Sequence, residues 1–134
     1  IVQAPLNLVD RRMHATRTFE FLQNSNVEIQ ARSVFLQGLL LFSRTEIPRK
    51  FERWAHLWDA WHLYLKEYEA DPLAVCLSMF GEYEEVDGIL VGVQSAEQLR
   101  QILNKLEQSH SVVDEPAIVC SDEMLVNPMN WSQL

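Results

Sequence analysis

GILVGVQSAEQLRQIL, residues 88–103, decides how this chain is read. An apolar run carries through Gly92, and Ser95 then opens an amphipathic segment. Strand, glycine turn and helix start thus follow at the spacing of a site for a cofactor's phosphate or adenosine. Residues 1–9 (IVQAPLNLV) and 27–40 (VEIQARSVFLQGLL) also read as a buried strand running into a loop, and each is followed by a helical pattern that returns to the next strand. The expected class is α/β: a run of βα units whose right-handed crossovers make the sheet parallel. Two architectures fit, an open doubly wound sheet or part of a (β/α)8 TIM barrel.

Composition narrows the function. The 134 residues suit one domain, and 48% hydrophobic with 22% charged residues describe a chain able to bury a core. A formal charge of −8, with lysine and arginine scattered rather than striped, argues against nucleic-acid binding. No apolar window approaches the ~20 residues that span a bilayer, and the amino end lacks a signal peptide's basic cluster and cleavage site. A cytoplasmic setting without membrane contact is expected. Cys76 and Cys120 lie in such different settings that they read as two reduced thiols. Residue 1 is Ile, and the chain enters at once on a strand-like run, so a longer polypeptide is expected. Three parallel strands alone would leave two open ladders and a half-covered core.

Along the chain, Pro5 shortens the first strand, and a helix centred on residues 18–23 ends in the polar turn Asn24-Ser25-Asn26. Residues 27–31 form the second strand. Pro48 is expected to start the longest helix, with Trp54, Trp58, Trp61, Leu65 and Tyr68 on one packed face. Asp71 and Pro72 are the N-cap and first position of another helix, which Gly81 stops. Residues 86–93 are the third strand, and residues 95–108 a helix whose buried stripe is Leu99, Ile102, Leu103 and Leu106. Glu82, Glu84, Glu85 and Asp87 read as a solvated turn, and residues 109–134 as a mostly irregular tail. His56 and His62 are six apart, not the four that lets two imidazoles on one helix share a metal.

In either architecture ligands sit at the carboxyl ends of the strands. There the chain offers Gln3 and Asn7, then Arg32 and Ser33, then Gln94, Ser95 and Gln98. Amides, hydroxyls and one guanidinium suit holding a polar, phosphorylated ligand better than moving protons. These residues resemble the aldo-keto reductase family, NAD(P)H-dependent (β/α)8 barrels. VQAPLNLVDRR is similar to the family's sixth-strand segment, ARSVFLQGLL to its seventh-strand motif, and GILVGVQSAEQLRQIL to its eighth strand and following helix. The three blocks come in the family's order and cover nearly the whole chain, which would then be the carboxyl-terminal part of a barrel, incomplete here.

The resemblance implies that Gln3 hydrogen-bonds the nicotinamide carboxamide. Ser33, Phe35, Gln37 and Gly38 would line the pyrophosphate passage, and Gln94, Ser95, Gln98 and Gln101 would face the adenosine half. Arg32 stands where the family stacks an aromatic ring on the nicotinamide. A planar guanidinium also stacks, yet it repels the positive ring of the oxidised cofactor, which favours reduced cofactor or an anionic substrate. Arg44 lies one residue past the place where some members put a lysine on the 2′-phosphate, and Ser43 stands at that place. Val34 replaces a usual Pro, and Gln101 and Ile102 replace a frequent Glu-Asn pair. NADP is the expected cofactor, with NAD as the alternative.

No segment of the chain matches the family's catalytic tetrad of Asp, Tyr, Lys and His. The expectation is an oxidoreductase that reduces an aldehyde or ketone, with an amino-terminal half of the barrel as partner and this segment alone inactive. Two competing readings are a regulatory or redox-sensing protein that binds the cofactor with little turnover, and an independent half-barrel that pairs with its own copy as a homo-oligomer.

Overall fold

In the computed structural model, which describes residues 1–107, 114 and 116–134, three short parallel strands form one sheet. They are β1 (Val2–Pro5), β2 (Ile29–Arg32) and β3 (Gly88–Ile89), in the order β1-β2-β3. Gln3 pairs with Gln30, and Gln30 with Gly88. Neighbours in space are neighbours in the chain, so both crossovers step the same way, as they do around a barrel and within one half of a doubly wound sheet. Ala4, Ile29 and Ala31 are buried, while Gln3 and Arg32 on the other face are exposed. One face covered and one open is consistent with a sector of barrel wall.

The helices are α1 (Arg12–Ala15), α2 (Thr18–Asn24), α3 (Ala55–Glu67), α4 (Pro72–Ser78), α5 (Ala96–Glu107) and α6 (Glu123–Val126). Arg17, in the left-handed conformation at φ 57°, separates α1 from α2. The longest helix does not begin at Pro48, as expected, but at Ala55. Pro48 is extended and leads into a 3₁₀ turn, Arg49–Trp54, that buries Phe51 and Trp54. Side chains three apart eclipse in a 3₁₀ helix, so that geometry turns both rings into the core at once. On α3 the buried face is Leu57, Trp58, Trp61 and Tyr64, with Tyr68 outside it. Trp58 and Trp61 are wholly buried because each indole N–H finds a carbonyl: Trp58 Nε1 donates to Phe51 O at 3.0 Å and Trp61 Nε1 to Leu40 O at 3.1 Å.

Asp71 caps α4 as expected, its Oδ1 accepting from Ala74 N at 3.0 Å. Gly81 does not stop that helix, which ends at Ser78 and tightens into a 3₁₀ turn, Met79–Glu82, containing the glycine. β3 is shorter than the expected eight-residue run, residues 86–93, because it pairs with β2 alone and β2 turns away after Arg32. The ladder spans Asp87 N to Ile29 O and Leu90 N to Ala31 O. The stripe on α5 is corrected as well: Ile102 is 6% exposed, but Leu99, Leu103 and Leu106 are 41%, 50% and 48% exposed. α5 touches α4 along one edge only, which buries Ile102 and leaves the other leucines uncovered. Cys76 and Cys120 are free, and burial pushes the Cys76 thiol pKa up.

Residues 116–134 lie over the end of the β1 unit and the start of α3. Cys120 N donates to Val9 O at 2.9 Å, Trp54 Nε1 to Asp122 Oδ2 at 3.1 Å, and Arg12 forms an ion pair with Glu123. Trp131 packs edge-on against Phe51, with ring centroids 4.7 Å apart. Ile118 and Leu125 of this segment are wholly buried.

Candidate functional site

The carboxyl ends of β1 and β2 are joined by one buried amide. Asn7 Nδ2 donates to Ser33 O at 3.0 Å, and its Oδ1 accepts from Val9 N at 3.0 Å and Asp10 N at 2.9 Å. Leu6 N donates to Arg32 O at 3.1 Å, carrying the ladder one step beyond Pro5. Asp10, wholly buried, accepts from the Arg12 guanidinium at 2.9 Å, and this hydrogen bond chiefly raises the arginine's pKa. The loop entry is therefore set by Asn7 and locked by Asp10 and Arg12. Neither role is visible in the local sequence pattern.

Beyond β2 the backbone becomes unusual. Ser33 has φ 58°, Leu36 46°, Gln37 54° and Gly38 90°. Only the glycine adopts this region freely, and each of the others costs about 1–3 kcal/mol. Leu36 is wholly buried, so packing holds the strained turn in place. Val34, where the family has Pro, joins a small core with Leu77 of α4 and Ile102 of α5, against which Phe35 and Ile89 pack. That core fixes the 33–38 loop relative to the helix after β3.

At the start of α5 two side chains cap reciprocally. Gln98 N donates to Ser95 Oγ at 3.2 Å, and Gln94 N donates to Gln98 Oε1 at 2.7 Å. This is a capping box shifted outward by one residue. Ser95 and Gln98 therefore have a structural role whatever else they touch, while exposed Gln101 lies one turn further along. Gln3, on the open face of β1, donates to Gln30 Oε1 at 3.5 Å. Arg32, on the same face, reaches Ser33 Oγ at 3.4 Å.

The fold thus brings Arg32, Ser33, Phe35, Gln37 and Gly38 into one loop beside Gln3, with the Gln94, Ser95, Gln98 and Gln101 group on the adjoining unit. Arg44 stands apart. Its guanidinium holds Glu52 at 2.9 Å and Asp59 at 2.6 Å. Hydrogen bonds to Glu52 and Asp59 raise the Arg44 pKa, and Arg44 lowers that of Glu52. Asp87, read from sequence as part of a solvated turn, has a structural partner: its Oδ2 accepts from Ile29 N at 2.8 Å and anchors the start of β2.

No curated protein matches the chain. Residues 1–116 match the aldo/keto reductase family, oxidoreductases that use nicotinamide cofactors and fold as (β/α)8 barrels. The parallel sheet, with its helices on one face, is consistent with part of such a barrel. With the match covering most of its length, the chain belongs to the aldo/keto reductase family.

Proposed function

We propose that this chain is the cofactor-binding side of a cytoplasmic carbonyl reductase, with NADPH preferred over NADH. The observation that carries the reading is the backbone of residues 33–38, where four positive φ values follow directly on the carboxyl end of β2. Leu36 N and Gly38 N donate to Ser33 O and Phe35 O at 2.8 and 2.9 Å and close the turn, so the turn's remaining N–H groups would meet the phosphate oxygens, and no Cβ on Gly38 blocks the approach. A strained turn that packing sustains at a strand's carboxyl end is where ligand contact is expected.

The residues divide the work along the ligand. Gln3 takes the nicotinamide amide, and Ser33, Phe35, Gln37 and Gly38 line the pyrophosphate. Gln94, Ser95, Gln98 and Gln101 hold the adenosine end, where the amino terminus of α5 favours negative charge. Arg44 joins the 2′-phosphate only by leaving Glu52 and Asp59. Bound there, the cofactor supplies a hydride to an aldehyde or ketone. Proton delivery belongs to residues outside this chain, on an amino-terminal half of the barrel, so the segment by itself is inactive.

Quenching of tryptophan fluorescence tests the reading. The intact protein titrated with NADPH should saturate, and Gly38→Val, which puts a β-branched residue at φ 90°, should weaken binding at least about tenfold. An intact protein that shows no saturable change sinks the proposal.

A further inference from the structure

Glu28, Gln30 and Arg32 alternate with buried Ile29 and Ala31, so all three lie on the face of β2 turned away from the helices. The interior of a (β/α)8 barrel is ordinarily filled by branched apolar side chains. Here that face carries amides and charges. Gln3 and Gln30 hydrogen-bond each other at 3.5 Å, and Gln30 Nε2 donates to Glu28 Oε1 at 2.8 Å. Arg32, at the carboxyl end, is different. Arg12, Arg17, Arg44, Arg53 and Arg100 each sit against a carboxylate, as expected in a chain with 19 acidic and 11 basic residues. Among the described residues no carboxylate lies within ion-pair range of Arg32 or of Arg49, and of these two only Arg32 stands at the carboxyl end of a strand, where its side chain touches the neutral Ser33 Oγ.

We infer that Arg32 is an anion-recognition residue of the site and selects a carbonyl substrate that carries a carboxylate or phosphate. The inference rests on the cofactor reading for where the substrate lies. A guanidinium offers a planar fork that matches an anionic group with two parallel hydrogen bonds. A neutral carbonyl compound would leave the fork without a counter-charge. Glu28, at the opposite end of the same face and about 13 Å away at ~3.3 Å per residue, repels an anion from the amino side. The polarity along β2 therefore directs negative charge to its carboxyl end.

Amide chemical-shift titrations of the 15N-labelled intact protein test this with pyruvate, dihydroxyacetone phosphate and neutral hydroxyacetone as probes. Expected are shifts at Gln3, Gln30 and Ser33, with at least one anionic probe bound about tenfold or more tighter than hydroxyacetone. Which anion binds tighter distinguishes carboxylate from phosphate recognition. Arg32→Gln should erase the preference, and Arg32→Lys should keep part of it, which separates charge from fold. Anion preference that survives in Arg32→Gln overturns the inference. So does a variant that weakens NADPH alone and leaves the preference intact, since Arg32 would then serve the cofactor. A wild-type protein that prefers the anions but does not bind NADPH would refute only the cofactor reading.

Discussion

Asn7 reaches from the end of β1 to the first residue beyond β2, donating through Nδ2 to the Ser33 carbonyl at 3.0 Å while its Oδ1 accepts two backbone N–H groups. The amide is wholly buried, so losing the side chain leaves these three backbone groups without their partner. Ser33 is also the first residue of the 33–38 loop at positive φ. One side chain thus couples the stability of the fold to the shape of the candidate phosphate loop.

Asn7→Ala should therefore cost about 2–4 kcal/mol, because two buried N–H groups and one carbonyl lose their partner. Urea unfolding gives the stability loss, and NADPH titration of the fraction still folded gives the loop's share. Reduced stability with unaltered NADPH affinity would show that Asn7 supports the sheet without shaping the loop.

Gln98 poses a sharper question, since its Oε1 already accepts from Gln94 N at 2.7 Å. Gln98→Glu keeps an acceptor at the capping position and places negative charge in the first turn of α5, which favours the helix. The thermal midpoint should hold or rise slightly. NADPH affinity should fall severalfold, because like charge would then face the adenosine phosphates. Unchanged affinity would make Gln98 a cap and nothing more.

Legibility differed between elements for physical reasons. The cap at Asp71, the proline at the first position of α4 and the opening of α5 at Ser95 rest on contacts within four residues, and all are plain in the sequence. The positive φ of Leu36 and Gln37 is not, since neither residue prefers it and burial of Leu36 imposes it. Asp87 anchors Ile29 across 58 residues, and Arg12 meets Glu123 across 111, so no local pattern signals either contact. The α5 stripe misled for a related reason: amphipathic spacing marks a face able to be buried, while a neighbour decides whether it is.

Arg44 is held by Glu52 and Asp59, so its charge is already matched. Removing both carboxylates with Glu52→Gln and Asp59→Asn should free the guanidinium for the 2′-phosphate. NADPH should tighten about three- to tenfold while NADH is unaffected. Parallel titrations of the two cofactors read this out, and equal changes in both would place Arg44 outside the site.

Asp71 joins two helices: Oδ1 caps α4 through Ala74 N at 3.0 Å, and Oδ2 meets Lys105 Nζ of α5 at 3.2 Å. Burial alone would push its pKa up, but the Ala74 N–H and Lys105 outweigh it and the net shift is downward. A carboxylate with a depressed folded pKa adds stability above its unfolded value, near pH 4, and loses that contribution as pH falls through the folded pKa. Asp71→Asn keeps a competent cap and loses the charge. At pH 6 it should be less stable than wild type by about 0.5–1 kcal/mol, a small figure because solvent screens a partly exposed pair. The gap should close towards pH 3, where protonated Asp71 resembles Asn, and shrink at pH 6 in 1 M salt, which screens Lys105. Urea midpoints across pH and salt measure it. A gap that persists at pH 3 would assign the effect to packing and remove the charge from the account.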